Sequence, residues 1–165
     1  MGEVHVSTPL LRPLRQWSRD LYTAAPDGPV LLVGGDDATY AALTAVWDRV
    51  SRLDTPVDGG ALPVGDGAFA VVVAPDALSR TPDPEAAMAE LRRVSSNHVV
   101  VAAPHRLVSR LGNLLRGKYL GQFGADPSGR NQWTTPGFLR LASRFGGLRD
   151  SKLPLGWTAA WIVRN

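Results

Sequence analysis

Pro29-Val30-Leu31-Leu32-Val33-Gly34-Gly35-Asp36-Asp37-Ala38-Thr39-Tyr40 is the stretch whose reading decides the fold. Four consecutive apolar residues suit a buried parallel strand; they run into a glycine pair, and a helix-like segment follows at once. Strand, glycine turn and helix in that order open a nucleotide-binding α/β domain, in which backbone N–H groups at the helix start face a ligand. A G-x-G-x-G or G-x-G-x-x-G loop needs small residues so that the backbone can approach that ligand. This loop reads G-G-D-D-A, with two carboxylates at the point of closest approach. Gly34 and Gly35 either admit a cofactor or make a tight turn and nothing more. Asp36 or Asp37 can cap the helix and fill its positive end with the protein's own charge.

Outward from this turn, the pattern predicts a helix to about residue 50, with Tyr40, Leu43, Val46, Trp47 and Val50 on one side. Upstream, residues 8–24 carry Leu10, Leu11, Leu14, Trp17, Leu21 and Tyr22 at helical spacing, before Ala25-Pro26-Asp27-Gly28-Pro29 breaks the chain. Downstream, residues 51–60 are turn-rich and predict no strand. Ala61-Leu62-Pro63-Val64-Gly65-Asp66-Gly67-Ala68-Phe69-Ala70-Val71-Val72-Val73-Ala74 is a turn feeding a second buried strand. Pro84 opens a helix over Pro84–Val94, Ser95-Ser96-Asn97 reads as a loop, and residues 98–103 as a third strand. Trp133-Thr134-Thr135-Pro136 starts another helix, with a threonine cap and proline in its first turn, ending near Gly146-Gly147. Residues 148–153 and Trp157–Val163 are β-like. Apolar strands alternating with helices argue for a mostly parallel sheet covered on both faces, in one domain of 165 residues.

The net charge of +3 hides a split: residues 1–104 hold 8 Lys+Arg against 13 Asp+Glu, and residues 105–165 hold 10 against 2. Leu107, Leu111, Leu114 and Leu115 recur at helical spacing beside Arg106, Arg110, Arg116 and Lys118, which predicts a basic amphipathic helix within a cap-like insertion over 105–132. Such a stretch suits a partner protein, an acidic ligand or a membrane surface, or is a solvated face of its own domain. Aromatic residues do not interleave with the arginines, which argues against a single-stranded nucleic-acid platform. The absence of cysteine excludes disulfides, thiolate metal sites and a cysteine nucleophile, and nothing in the spacing forms a metal cluster or a nucleophile–base triad. The N-terminal residues lack a signal-peptide pattern and no apolar run is long enough to span a bilayer, so a cytoplasmic location is expected.

The segment 61–73 resembles the A-L-P-F-P-D-G-S-F-D-V-V-V segment of class I S-adenosylmethionine-dependent methyltransferases, and is closest to the small-molecule branch called type 11. Ala77-Leu78, Pro82-Asp83-Pro84-Glu85-Ala86-Ala87 and Glu90-Leu91-Arg92-Arg93-Val94 continue the likeness, as do Trp133-Thr134-Thr135-Pro136 and Phe145-Gly146. The resemblance implies a Rossmann-like α/β fold: seven strands, mostly parallel, the last antiparallel, with the cofactor above the strand ends. Departures from the family pattern cluster at that cofactor. Leu32 stands where the family has an acid in its first strand, and Asp36 and Ala38 where it has its second and third glycines. The acid that ends the second strand and grips the ribose has no clear counterpart; Asp54 is the nearest candidate. Between Ala38 and Ala61 the chain is short by about twenty residues, roughly one strand and one helix, so the fold is expected to be trimmed near its second strand. Ala70 replaces a common aspartate, and Ser79-Arg80 a frequent Glu-His pair.

Carried onto this chain, the resemblance makes Gly34, Gly35, Asp36 and Asp58 the candidate S-adenosylmethionine contacts. Asp36, with Asp37, would meet the methionine ammonium group and Asp58 the adenine amino group. Each also has a plainer reading, Asp36 as a helix cap and Asp58 as a turn residue. Asp76, beyond the strand at 69–74, is a candidate functional acid, and His105 a candidate base; His98 reads as structural. Two functions compete. One is a methyltransferase-like pseudoenzyme with impaired or lost cofactor binding, acting as a binding or regulatory subunit, as a homodimer or as the partner of an active homologue. The other is a working methyltransferase on a small molecule or other acceptor.

Overall fold

A computed structural model of the chain describes residues 10–55, 57–58, 60–105, 111, 115, 117, 131, 133–153 and 156–164. The expectations for residues 1–9, and for Arg106, Arg110, Arg116 and Lys118 in the basic stretch, lie outside the described residues. In chain order the elements are α1 (Leu11–Ala24), β1 (Val30–Val33), α2 (Asp37–Thr44), β2 (Val50–Leu53), β3 (Phe69–Pro75), α3 (Ala77–Arg80), α4 (Pro84–Val94), β4 (Ser95–Pro104), α5 (Thr135–Ser143), β5 (Gly147–Lys152) and β6 (Trp157–Val163).

The six strands form one sheet in the order β2-β1-β3-β4-β6-β5. β2, β1, β3 and β4 pair in parallel, and β6 runs antiparallel to both its neighbours, so the final strand is the one reversed strand. Because side chains alternate across a strand, β1 feeds two cores. Leu31 and Val33 pack with Val72, Val99 and Val101 against Met88 and Leu91 of α4 and Phe138 of α5. Val30 and Leu32 pack on the other face with Val71, Val73 and Trp161 against Leu14, Trp17 and Leu21 of α1 and Leu43 of α2. The sheet is thus covered on both faces, as its uninterrupted apolar strands require.

Three sequence expectations change. The helix after the glycine turn stops at Thr44 instead of running to Val50. Its last turn closes when the Val46 and Trp47 N–H groups both donate to the Leu43 carbonyl, and the buried Trp47 indole N–H donates to the Ala25 carbonyl at 3.1 Å. Val50–Leu53 is then a strand, paired with β1 over Val30↔Val50 to Val33↔Leu53. It lies at the sheet edge with Ser51 and Arg52 exposed, so it lacks the apolar run by which a buried strand is recognised. Among the described residues no strand or helix lies between β2 and β3. The trimming relative to a seven-stranded sheet therefore falls after the second strand. Lastly, Ser95-Ser96-Asn97 is strand, not loop: α4 passes directly into β4, and Ser95 pairs with Phe69.

The two segments that carry the sequence likeness also hold each other. Glu90 accepts a hydrogen bond from the Leu62 N–H at 2.7 Å. Arg93 donates to Glu90 and to the Leu62 and Val64 carbonyls, and pairs with Asp66. Arg93 holds the Glu90 carboxyl below its usual range, against the opposing effect of its burial. This clasp sets the turn that feeds β3.

Candidate functional site

The C-terminal ends of β1, β2 and β3 open onto a cleft of about 550 Å³, lined by Gly34, Gly35, Asp36, Asp54, Asp58, Asp76, Arg80 and Trp157 among others. In an open parallel sheet this is where ligands bind. The structure brings together five of the sequence candidates, Gly34, Gly35, Asp36, Asp58 and Asp76. His105 is not among the lining residues.

Gly34 and Gly35 both take left-handed backbone conformations, with φ of +67° and +84°. Side chains other than glycine enter that region at a cost. A Cβ on Gly35 would press on Leu32 Cδ1 and Pro75 Cγ, each 3.2 Å away, whereas one on Gly34 would meet nothing within 4 Å. The first glycine therefore presents bare backbone to open space and the second turns the chain over its own strand. The Gly34 N–H donates to the Leu53 carbonyl at 2.8 Å, tying the turn to the end of β2.

Asp36 is the N-cap of α2. Its Oδ1 accepts from the Thr39 N–H at 2.8 Å and from the Thr39 hydroxyl at 2.7 Å. A carboxylate at a helix N-terminus satisfies orphan N–H groups and interacts favourably with the positive end of the dipole. It also occupies the place an anionic ligand group would take. Arg52 closes the turn from the side: it donates to Asp37 at 2.6 Å, to Asp54 at 2.9 Å and to the Gly35 carbonyl at 3.1 Å. Its pKa is raised, chiefly by the bond to Asp37 and then by that to Asp54.

Asp54 follows β2 directly and lines the cleft, which makes it the acid at the end of the second strand. The sequence left that position without a clear occupant because β2 itself was not visible. The Arg52-Leu53-Asp54 triplet was the available signal, since alternation puts Arg52 and Asp54 on one side. Asp58 accepts from the Gly60 N–H at 3.0 Å while lining the cleft, so the turn role and the site position coincide in one residue.

Asp76 adopts φ +57°, a conformation aspartate tolerates better than most residues. Both of its oxygens are engaged: the Ser79 hydroxyl donates to Oδ1, and Arg80 Nε donates to Oδ2 at 2.8 Å. Ser79 and Arg80, which depart from the family's Glu-His pair, thus clamp the acid in place. His105 donates its backbone N–H to the Gly156 carbonyl at 2.7 Å and bridges to Trp133, with its Nδ1 buried and without a partner among the described residues. Among the described residues no group of three or more His, Cys, Asp and Glu could hold a metal ion, and no helix is long and apolar enough to cross a membrane.

No family model and no curated protein matches the sequence. Solved structures do. Magnesium protoporphyrin IX methyltransferase from Synechocystis PCC 6803, determined with bound SAH, is similar over 95% of this chain and 84% of its own, with a TM-score of 0.61 at 11% identity. An S-adenosylmethionine-dependent methyltransferase from Mesorhizobium loti is similar over 93% of this chain and 100% of its own (TM-score 0.56, 12% identity). A chain of the Haloferax volcanii complex between the Trm112 methyltransferase activator and a methyltransferase is similar over 93% and 92% (TM-score 0.62, 12% identity). At such identities the likeness shows the fold: this chain has the Rossmann-like fold of class I S-adenosylmethionine-dependent methyltransferases.

Proposed function

We propose that this chain is a methyltransferase-like protein whose cofactor cleft has been turned over in part to its own carboxylates, and that it acts as a non-catalytic binding subunit. The observation that carries this reading is Asp36, whose carboxylate fills the N-terminus of α2 beside the glycine turn. S-adenosylmethionine would supply a sulfonium methyl group, and its two ends fit this cleft differently. Toward adenosine the residues fit: Gly34 leaves room, Asp54 stands at the end of β2 for the ribose hydroxyls, and Asp58 lies within the cleft for the adenine amino group. Toward the methionine carboxylate they do not fit, because Asp36 repels it at the place where helix N–H groups would receive it. The clamp on Asp76 and the placement of His105 off the cleft support a site without an acid–base pair.

The Haloferax volcanii neighbour, part of a complex with a methyltransferase activator, supports an assembly role for chains of this fold. Arg106, Arg110, Arg116 and Lys118 are proposed as the surface for an acidic partner, and the cytoplasm as the location. A second reading, a methyltransferase that binds S-adenosylmethionine and acts by positioning, is favoured by Asp54 and by the open space at Gly34.

Thermal unfolding with S-adenosylhomocysteine separates the two. A ligand at 100 times its Kd stabilises by about 2.7 kcal/mol, which is about 5–10 °C for a chain of this size. The subunit reading expects no shift at millimolar ligand. A shift of that size at submillimolar ligand overturns it in favour of the second.

A further inference from the structure

We infer a second binding site, for a small carboxylate carried on an apolar body, in a groove at the opposite end of the sheet from the cleft. In the β4–β6 ladder, Pro104 pairs with Trp157, which lines the cleft, while His98 pairs with Val163 at the other end. There a groove of about 520 Å³ lies between α1 and strands β4, β5 and β6, with His98, Trp161, Leu148, Arg149 and Asp20 among its lining residues.

Two donors make it a site. His98 is only 4% exposed, and its Nε2 is buried with no hydrogen-bond partner among the described residues. The Trp161 indole N–H donates to His98 Nδ1 at 3.3 Å, which makes Nδ1 an acceptor and puts the proton of the neutral ring on Nε2. Burial, and then the charge of Arg149, lower the His98 pKa and favour that neutral form. His98, a lining residue of the groove, therefore carries an N–H donor with no partner among the described residues, and buried polar groups are rarely left so.

Arg149 is the second donor. The β5–β6 pairing passes from Leu148↔Ile162 to Asp150↔Trp161, so Arg149 is the extra residue of a β-bulge. Bulges re-aim side chains and are over-represented beside active sites. Arg149 is exposed, and its guanidinium has no ion pair among the described residues. A carboxylate accepts from a guanidinium and an imidazole N–H together, while the faces of Trp161 and Leu148 take the apolar body. Asp20, exposed on α1 at the rim, adds a negative charge that disfavours a phosphate dianion relative to a singly charged carboxylate.

The test is titration of the full chain with benzoate, read at the Trp161 indole N–H and the His98 ring nitrogens by NMR. Benzamide serves as the neutral isostere and inorganic phosphate as the dianion. The expected result is a saturable shift with a Kd below about 10 mM, at least fivefold weaker for benzamide, for phosphate and for Arg149→Gln. The His98→Gln variant tests the buried donor, and the exposed Arg149→Gln remains decisive if that variant does not fold. No saturable shift with benzoate, equal binding of phosphate, or an affinity untouched by Arg149→Gln overturns the site.

Discussion

Replacing Asp36 separates what its carboxylate does for the fold from what it does to the cleft. In Asp36→Ala, the helix loses its cap, worth about 1 kcal/mol. The fully buried Thr39 hydroxyl also loses its acceptor, at about 1 kcal/mol more. The sum of about 2 kcal/mol corresponds to a fall of about 4–8 °C in Tm for a chain of this length. Asparagine is as good an N-cap as aspartate, so Asp36→Asn should stay within about 0.5 kcal/mol of the parent while removing the charge. Two unit charges about 5 Å apart at an effective dielectric of about 20 interact by about 3 kcal/mol. Asp36 is half-buried, and solvent screening reduces that to about 1.4 kcal/mol, or tenfold in affinity. Urea unfolding followed by circular dichroism measures the stabilities, and isothermal titration with S-adenosylhomocysteine measures the binding. The expected pattern is a stable Asp36→Asn variant whose binding, about tenfold tighter, becomes measurable at millimolar ligand where the parent gives no heat. If Asp36→Asn binds no better, or Asp36→Ala costs less than about 0.5 kcal/mol, the reasoning about the helix N-terminus is refuted.

Glu90→Ala strands the Leu62 N–H and removes the main partner of Arg93; a loss of about 2–3 kcal/mol is expected in denaturant melts, with Glu90→Gln losing about half as much because its carbonyl still accepts. Asp150 has its pKa lowered chiefly by the Trp17 indole N–H, which donates to it at 2.7 Å across α1 and β5. A depressed folded pKa contributes stability above the unfolded value of about 3.9 and loses it as pH falls through the folded value. The stability gap between the parent and Asp150→Asn should therefore be present at pH 7 and close below about pH 4; a gap constant down to pH 2 would remove the linkage. Gly146→Ala would place a Cβ 2.5 Å from the Val163 carbonyl oxygen and 2.6 Å from Ile162 Cγ2. Backbone cannot yield as a side chain does, so about 2–3 kcal/mol of destabilisation is expected, and a neutral result would show that the α5–β5 turn shifts freely.

Residues 29–40 and 61–74, with their long apolar runs and glycine turns, determined by themselves that the chain builds a mostly parallel α/β sheet. They also placed a cleft above β1, because burial on both faces leaves an unmistakable pattern. The caps of α2 and α5 were legible for a similar reason: a cap is a contact between residues two or three apart, and both form, at Asp36 and Thr134; at α4 the start at Pro84 was legible, and the structure adds its Asp83 cap. Edge strand β2 was not legible, since its exposed Ser51 and Arg52 leave no apolar signature, and Asp54 was undervalued with it. Tertiary structure alone decided that Arg52 joins Asp37, Asp54 and the Gly35 carbonyl, that Ser79 and Arg80 clamp Asp76, and that His105 lies apart from the cleft lining. The groove formed by α1, β4, β5 and β6 belongs to the same class, with residues up to 143 positions apart lining it. Such arrangements depend on which distant segments the packed sheet brings within hydrogen-bond reach, and no local spacing encodes that.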